Sequence, residues 1–316
     1  MTPLAGRDLD VVALGEPLLE FNQVQPDPPH YLQGFGGDTS NAVIAAARAG
    51  AKTAYLSRLG QDHWASLLMQ LWRKEGVDSQ AVLRDPLAPT GLYFVSHDEA
   101  GHHFSYARAG SAASRMQPSD LLGAWQTYIA RSQWLHVSGI SMAIAPSACQ
   151  TVVAALVHAR ASGTRVSIDS NLRLRLWTID QARQALQQTL PLCDLFLPSL
   201  EDMVLLTDLK DPQAIINWSH ACGARTVVLK LGDQGALCSD GAKRDHIEGY
   251  AVQTVDATGA GDCFAGNLLA RLAQGQDLLG AARYANAAAA LSVQQYGAVA
   301  ALPYPPAVRT LMEACA

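Results

Sequence analysis

Short apolar runs separated by amphipathic stretches set the rhythm of the chain. Val11 to Leu14 is continuously apolar up to Gly15, whereas beyond it Leu19, Phe21 and Val24 alternate with Glu20, Asn22 and Gln23. The first pattern predicts a strand buried on both faces, the second a strand wet on one face. Helical spacing takes over from Asn41 to Ala49, Thr53 to Ser57 reads as a strand, and Trp64, Leu67, Leu68, Leu71 and Trp72 recur on one helical face. The alternation pauses at Gly91 to Ser96 and Phe104 to Arg108, two strand-like runs joined by Asp98-Glu99-Ala100-Gly101. They predict a hairpin able to pair with the strand near Phe21. His102-His103, next to that turn, reads as a wet tip rather than a metal site. From Trp134 onward, Trp134 to Val137, Val166 to Asp169, Leu195 to Pro198 and Thr226 to Lys230 alternate with helical segments at Pro146 to Ala161, Gln181 to Leu190 and Pro212 to Cys222. Strands alternating with helices predict an α/β fold with a mainly parallel sheet covered on both faces. With no repeat and no long linker, residues 1–316 are expected to form one domain with a small β excursion.

Composition narrows the class. Of 316 residues, 49% are hydrophobic and only 16% charged, a globular rather than a disordered balance. Twenty-three Lys+Arg against 28 Asp+Glu leave a net charge of −5, without the basic excess that attracts nucleic acid. Two long uncharged windows, Ser132 to Ala159 and Tyr284 to Val308, are broken by polar residues and prolines, so neither supplies the ~20 apolar residues of a membrane span. The first ten residues carry charges where a signal peptide has its apolar core, and a cytoplasmic protein is expected. Six cysteines, far apart and without a CxxC pair, predict reduced thiols.

The strongest chemical signal is Asp256-Ala257-Thr258-Gly259-Ala260-Gly261-Asp262, followed by Gly266. A turn of small residues that opens a helix leaves free N–H groups at its positive end, and phosphate is the natural guest. Asp262, in the first helical turn, is placed to take a proton from an attacking hydroxyl; alternatively it is an N-cap among glycines needed for packing. Phe264 stands where a GxGxxG fingerprint needs glycine, and no GxxxxGK[ST] occurs, which excludes a Rossmann dinucleotide site and a Walker-type NTPase.

This segment resembles the C-terminal signature of the ribokinase-like (PfkB) carbohydrate kinases. Gly34-Phe35-Gly36-Gly37-Asp38-Thr39-Ser40-Asn41 resembles that family's sugar-binding GG-xxx-N segment, and Lys230-Leu231-Gly232-Asp233-Gln234-Gly235 its nucleotide-side loop. The resemblance implies a three-layer α/β/α fold with a small β-sheet lid, here from about 16–35 and 90–110. It implies ATP and Mg2+ as cofactors, Asp262 as catalytic base and Gly259, Ala260 and Gly261 as an anion hole. It also implies Gly36, Gly37, Asp38 and Asn41 at the sugar, and Asn171, Ser199, Lys230, Gly232, Gly235, Thr258 and Asn286 at the nucleotide. Taken without the family, Gly36-Gly37 is a strand-to-helix turn with Asn41 as its cap, and Asn286 a helix surface residue. Where the family commonly reads N-x-x-E, this chain reads Ser199-Leu200-Glu201-Asp202, which leaves Glu201 or Asp202 as the metal-supporting carboxylate.

Gly15-Glu16-Pro17-Leu18, Gly91 to Phe94, Tyr106 to Ser114, Ser138-Gly139-Ile140 and Asp169 to Trp177 together look like 2-keto-3-deoxygluconate kinases of the same family. That implies phosphorylation of the terminal hydroxyl of an acid sugar lined by Tyr93, Tyr106, Arg108, Ile140 and Arg173. A guanidinium fork suits a carboxylate and gains little from a neutral sugar. Arg173 has other readings, as a loop arginine or a partner of Asp169, and its motif also occurs in fructokinases. A neutral-sugar kinase is therefore the alternative function, and a non-catalytic sugar or nucleotide sensor the second. Pairing of lids between copies is the expected oligomer.

Overall fold

The computed structural model describes residues 6–25, 27–98 and 101–315. The apolar runs become the strands of one nine-stranded sheet, in the order Arg244–Ile247, Ala236–Ser239, Thr226–Lys230, Leu195–Leu197, Arg165–Asp169, Ser132–Ser138, Leu9–Leu14, Thr53–Leu56 and Val77–Asp78. All neighbours are parallel except at the edge, where Ala236–Ser239 runs antiparallel to both of its partners. Alternate residues of each strand feed opposite layers. Val12, Leu135, Val137 and Ile168 pack under the helices Ala124–Arg131, Pro146–Ala161 and Ile179–Thr189, while Val11, Trp134, Leu195 and Val228 pack under Ala260–Ala273 and Leu278–Ser292. Helices on both faces make three layers and explain why the inner strands carry almost no wet positions. His136, one of the buried polar residues of these strands, is held neutral; burial pushes its pKa down to about 3, and its ring shares a hydrogen bond of 3.1 Å with Ser167 Oγ.

A second sheet of four strands, in the order His30–Gly36, Leu18–Gln25, Leu92–Asp98 and Gly101–Ala107, stands beside the first. The predicted hairpin does pair with the strand at Phe21, in parallel, with Phe21 opposite Phe94; residues 99–100 of its turn lie outside the described residues. Trp64 meets Phe21 edge-on at 5.5 Å and ties this sheet to the helix His63–Lys74, whose Trp72 is fully buried. The wet face expected from Leu19 to Val24 is only partly wet. Glu20 is buried and accepts a hydrogen bond from the Tyr93 hydroxyl, because that face turns toward the body of the molecule.

From Leu9–Leu14 the chain builds outward to Thr53–Leu56 on one side and then, from Ser132–Ser138, on the other. The strand order therefore reverses between Leu9–Leu14 and Ser132–Ser138, and ligands of open α/β sheets bind at the carboxyl ends beside such a point. Gly15, Glu16, Gly139, Ile140, Asn171, Arg173 and Ser199 all follow the ends of these strands. All six cysteines are free, and no helix among the described residues is long and apolar enough to cross a membrane.

Candidate active site

A cavity of about 290 Å3 opens at those strand ends. Its lining includes Asn171, Arg173, Ser199 and Lys230, then Gly232, Gly235, Gly259, Ala260, Gly261, Asp262 and Asn286. Two of the three motifs read from the sequence, the Lys230–Gly235 loop and the glycine turn before Asp262, thus meet at one space, which the Gly34–Asn41 segment does not line.

The helix Ala260–Ala273 begins at Gly259, which sits at φ +78°, and no side chain caps it. A residue with a Cβ would be strained there and would stand 3.1 Å from the Ala298 side chain. Asp256 fixes the turn, accepting from Thr258 N–H at 2.9 Å and Gly297 N–H at 3.0 Å. Asp262 is no N-cap. Its Oδ2 accepts from Asn41 Nδ2 at 2.9 Å, and burial followed by the nearby charge of Asp38 pushes its carboxyl well above the usual range. Lys230 reaches across the turn, its Nζ donating to Asp169 Oδ2 at 2.6 Å, so Asp169 pairs with Lys230 and not with Arg173. Arg173 donates to the neighbouring Leu172 carbonyl at 2.8 Å.

Asn171 carries a positive φ of 31°, in a region that asparagine tolerates better than most residues, and its amide donates to Asp38 Oδ2 at 3.2 Å. Asn286 is buried, not a surface residue, and donates to the Glu248 carbonyl at 2.6 Å. Ser199 caps the helix Leu200–Thr207. Asp202 is engaged by Ser170 Oγ at 2.6 Å and Leu172 N–H at 3.1 Å, whereas Glu201 is exposed at the cavity wall. Uncapped helix N–H groups, a lysine and an open carboxylate are a donor set that fits a nucleotide polyphosphate with its metal.

The residues expected at the sugar come from other elements. Gly37, at φ +100°, turns the chain from His30–Gly36 into the helix Asp38–Arg48 so tightly that a Cβ would meet the Glu16 carbonyl at 2.4 Å. That turn buries Asp38 and Asn41, and desolvation raises the Asp38 carboxyl pKa. Ile140 lies in the short helix Gly139–Ala143. Tyr93 is buried in the small sheet, Tyr106 stacks on it with centroids 5.7 Å apart, and the Arg108 guanidinium lies 5.6 Å from the Tyr106 ring. Arg175 joins the loop of Arg173 to this sheet through the Phe104 carbonyl at 3.0 Å. Arg108 does not line the cavity that Arg173 does.

Sequence reasoning missed Glu16 and Glu20. Glu16 is buried, paired with Arg108 and bonded by Ser111 Oγ at 2.5 Å. Burial nonetheless pushes its carboxyl up, and Glu20 is raised for the same reason. A charge directly after a buried strand, and another inside an alternating one, were the available signals. Three buried polar atoms in this region make no hydrogen bond: Asp38 Oδ1, Asn41 Oδ1 and Arg108 Nε.

A buried carboxylate, an uncapped helix start and a lysine, with further buried polar residues beside them, are an arrangement suited to phosphoryl transfer. Residues 8–305 match the sequence model of the pfkB family carbohydrate kinases, and the chain belongs to that family. It is a sugar kinase. It is 34% identical to a 2-dehydro-3-deoxygluconokinase of Thermoproteus tenax, over 97% of this chain and 95% of that one. It is also 31% identical to Fructokinase-1 of Oryza sativa subsp. japonica, over 98% and 99%. An E. coli protein of the ribokinase II type, solved with ATP and Mg2+, superposes with a TM-score of 0.87 at 26% identity, covering 96% of this chain and 99% of that one.

Proposed function

We propose that the protein transfers a phosphoryl group to the terminal hydroxyl of 2-keto-3-deoxygluconate, with ATP as donor and Mg2+ as its counterion. The observation that carries this reading is the trio of unpaired buried atoms, two acceptor oxygens on Asp38 and Asn41 and one cationic donor on Arg108. Buried polar atoms without partners cost about 1–3 kcal/mol each. A polyol that also bears a carboxylate offers hydroxyl donors to the first two and an anionic acceptor to the third. Asp262 takes the proton of the attacking hydroxyl as its oxygen bonds to phosphorus and the bond to the leaving phosphate breaks. The N–H groups of Ala260 to Asp262 and the Lys230 ammonium hold the phosphoryl oxygens, and Glu201 supports the metal. ATP, when bound, supplies the phosphoryl group, and Mg2+ shields its charge.

One observation favours a neutral-sugar kinase: Glu16 already offsets the Arg108 charge. ADP release with ATP and Mg2+ across 2-keto-3-deoxygluconate, gluconate, fructose and ribose separates the two. The highest kcat/KM is expected for 2-keto-3-deoxygluconate; a higher value for fructose would replace this reading with the alternative.

A further inference from the structure

The loop leaving the strand Arg165–Asp169 joins the residues expected at the nucleotide to those expected at the sugar. Asp169 accepts from Lys230 Nζ at 2.6 Å, and two residues later the Asn171 amide donates to Asp38 Oδ2 at 3.2 Å. There the backbone passes through the positive φ of Asn171, 31°, a conformation that persists only where its surroundings hold it. One atom brackets it. Asp202 Oδ2, in the first turn of the helix Leu200–Thr207, accepts from Ser170 Oγ at 2.6 Å and from Leu172 N–H at 3.1 Å, the residues on either side of Asn171. Asp202 is itself fixed, its N–H donating to Ser199 Oγ at 3.1 Å, and Ser199 N–H donates to Ser170 Oγ at 3.3 Å, which closes a ring of three residues. On the far side Gly139 lies so near the loop that a Cβ there would stand 2.0 Å from the Ser170 carbonyl oxygen.

We infer that Asp202 is a positioning residue: by bracketing Asn171 it sets where the Asn171 amide and the Arg173 guanidinium stand for the acceptor, and it does so as a hydrogen-bond acceptor and not as a metal ligand. Its Oδ2 is already engaged by two donors, whereas the neighbouring Glu201 is exposed at the cavity wall and open to a cation. The two roles differ in what they ask of the side chain. A neutral amide oxygen also accepts two hydrogen bonds, but it carries no charge to offset a divalent cation. The inference rests on the sugar-kinase activity and not on which sugar is accepted, so a preference for fructose would leave it standing.

Kinetics of Asp202→Ala, Asp202→Asn and Ser170→Ala, with acceptor and Mg2+ varied in turn, test it alongside calorimetric titration of each variant with ATP at several Mg2+ concentrations. Asp202→Ala should lower kcat/KM for the acceptor that the wild type uses best about ten- to a hundredfold, as misplaced contacts do, while KM for ATP and the Mg2+ dependence of ATP affinity stay as in the wild type. Asp202→Asn should remain within about threefold of the wild type in all of these, because its amide oxygen can take both donors. Ser170→Ala should also lower kcat/KM for the acceptor, and adding it to Asp202→Ala should cost less than its effect alone, since the two residues share one contact. Melting curves establish that each variant folds; should Asp202→Ala not fold, Asp202→Asn and Ser170→Ala carry the comparison. A loss of about tenfold or more in Asp202→Asn overturns the inference, and a raised Mg2+ requirement beside it makes the carboxylate a metal support instead. Wild-type kinetics in a folded Asp202→Ala, or in Ser170→Ala where Asp202→Ala does not fold, overturn it as well.

Discussion

As the proposed base, Asp262 sets opposing demands of chemistry and stability on one side chain. Burial and the charge of Asp38 raise its carboxyl pKa, so the folded protein binds that proton more readily than the unfolded chain does. The contribution to stability is therefore full below the ordinary carboxylate pKa and is lost as pH rises through the raised value. Asp262→Asn removes the charge and keeps an oxygen for the Asn41 amide. It should hold or raise Tm at neutral pH while turnover falls at least ~10²-fold. Near-normal turnover in a folded variant would remove Asp262 from the mechanism. The acid limb of kcat/KM should likewise fall above the usual carboxylate range, where a base of ordinary pKa would still be ionised. The arginines behave differently from each other. Arg108 shares a buried pair with Glu16, and removing one partner of such a pair costs about 3–5 kcal/mol, so Arg108→Ala should lower Tm strongly. Arg173 has no carboxylate to abandon. Arg173→Ala should leave Tm nearly unchanged and cost about ten- to a hundredfold in kcat/KM for the acid sugar. An equal loss with fructose would place Arg173 on the phosphates instead.

At the scale of elements, what the sequence made legible is what its periodicity encodes. The inner strand Ser132–Ser138 is buried along its whole length because both faces are covered, and Pro146–Ala161 ends where its pattern ends. The edge strand Arg244–Ile247 was not legible, since three of its four residues are exposed and only Ile247 joins the core. His30–Gly36 escaped for the same reason; its exposed half has no apolar alternation to read. Asp262, Lys230 and Asn41 were legible because glycine turns surround them in the chain. Glu16 was not, because its partners Arg108 and Ser111 lie 92 and 95 residues away and only folding shows that its charge is paired. Glycine turns also make an element-scale prediction. Gly259 starts its helix with a left-handed backbone, so Gly259→Ala costs about 1–2 kcal/mol of strain and crowds Ala298. Because the displaced N–H groups are those proposed to hold the phosphoryl oxygens, the loss of kcat should exceed what the fall in Tm explains. Urea unfolding and turnover on the same variant compare the two.

For the molecule as a whole, the small sheet is the surface that calls for a partner. Val24, Tyr31, Leu32, Phe94 and Tyr106 are all large, apolar and exposed, with Val24 and Leu32 open to 66% and 65%. All five belong to this sheet, and Tyr31 meets Phe94 edge-on at 5.9 Å without being covered by it. Its outer strands, His30–Gly36 and Gly101–Ala107, each pair on one side only within the sheet, leaving backbone groups that another strand can use. Large apolar side chains left exposed on both faces of a small sheet with open edges usually mark an interface. Since the sheet also supplies Tyr93, Tyr106 and Arg108, covering it with the same sheet of a second copy would steady the sugar side of the site as well as hide the patch. Sedimentation at micromolar concentration should therefore give a particle of about twice the chain mass. Leu32→Glu, on the exposed strand and away from the cavity, should shift it to the monomer and raise KM for the sugar while leaving Tm of the monomer fold near wild type. A wild-type particle of 33.7 kDa under the same conditions would reject the pairing and leave the patch without this explanation.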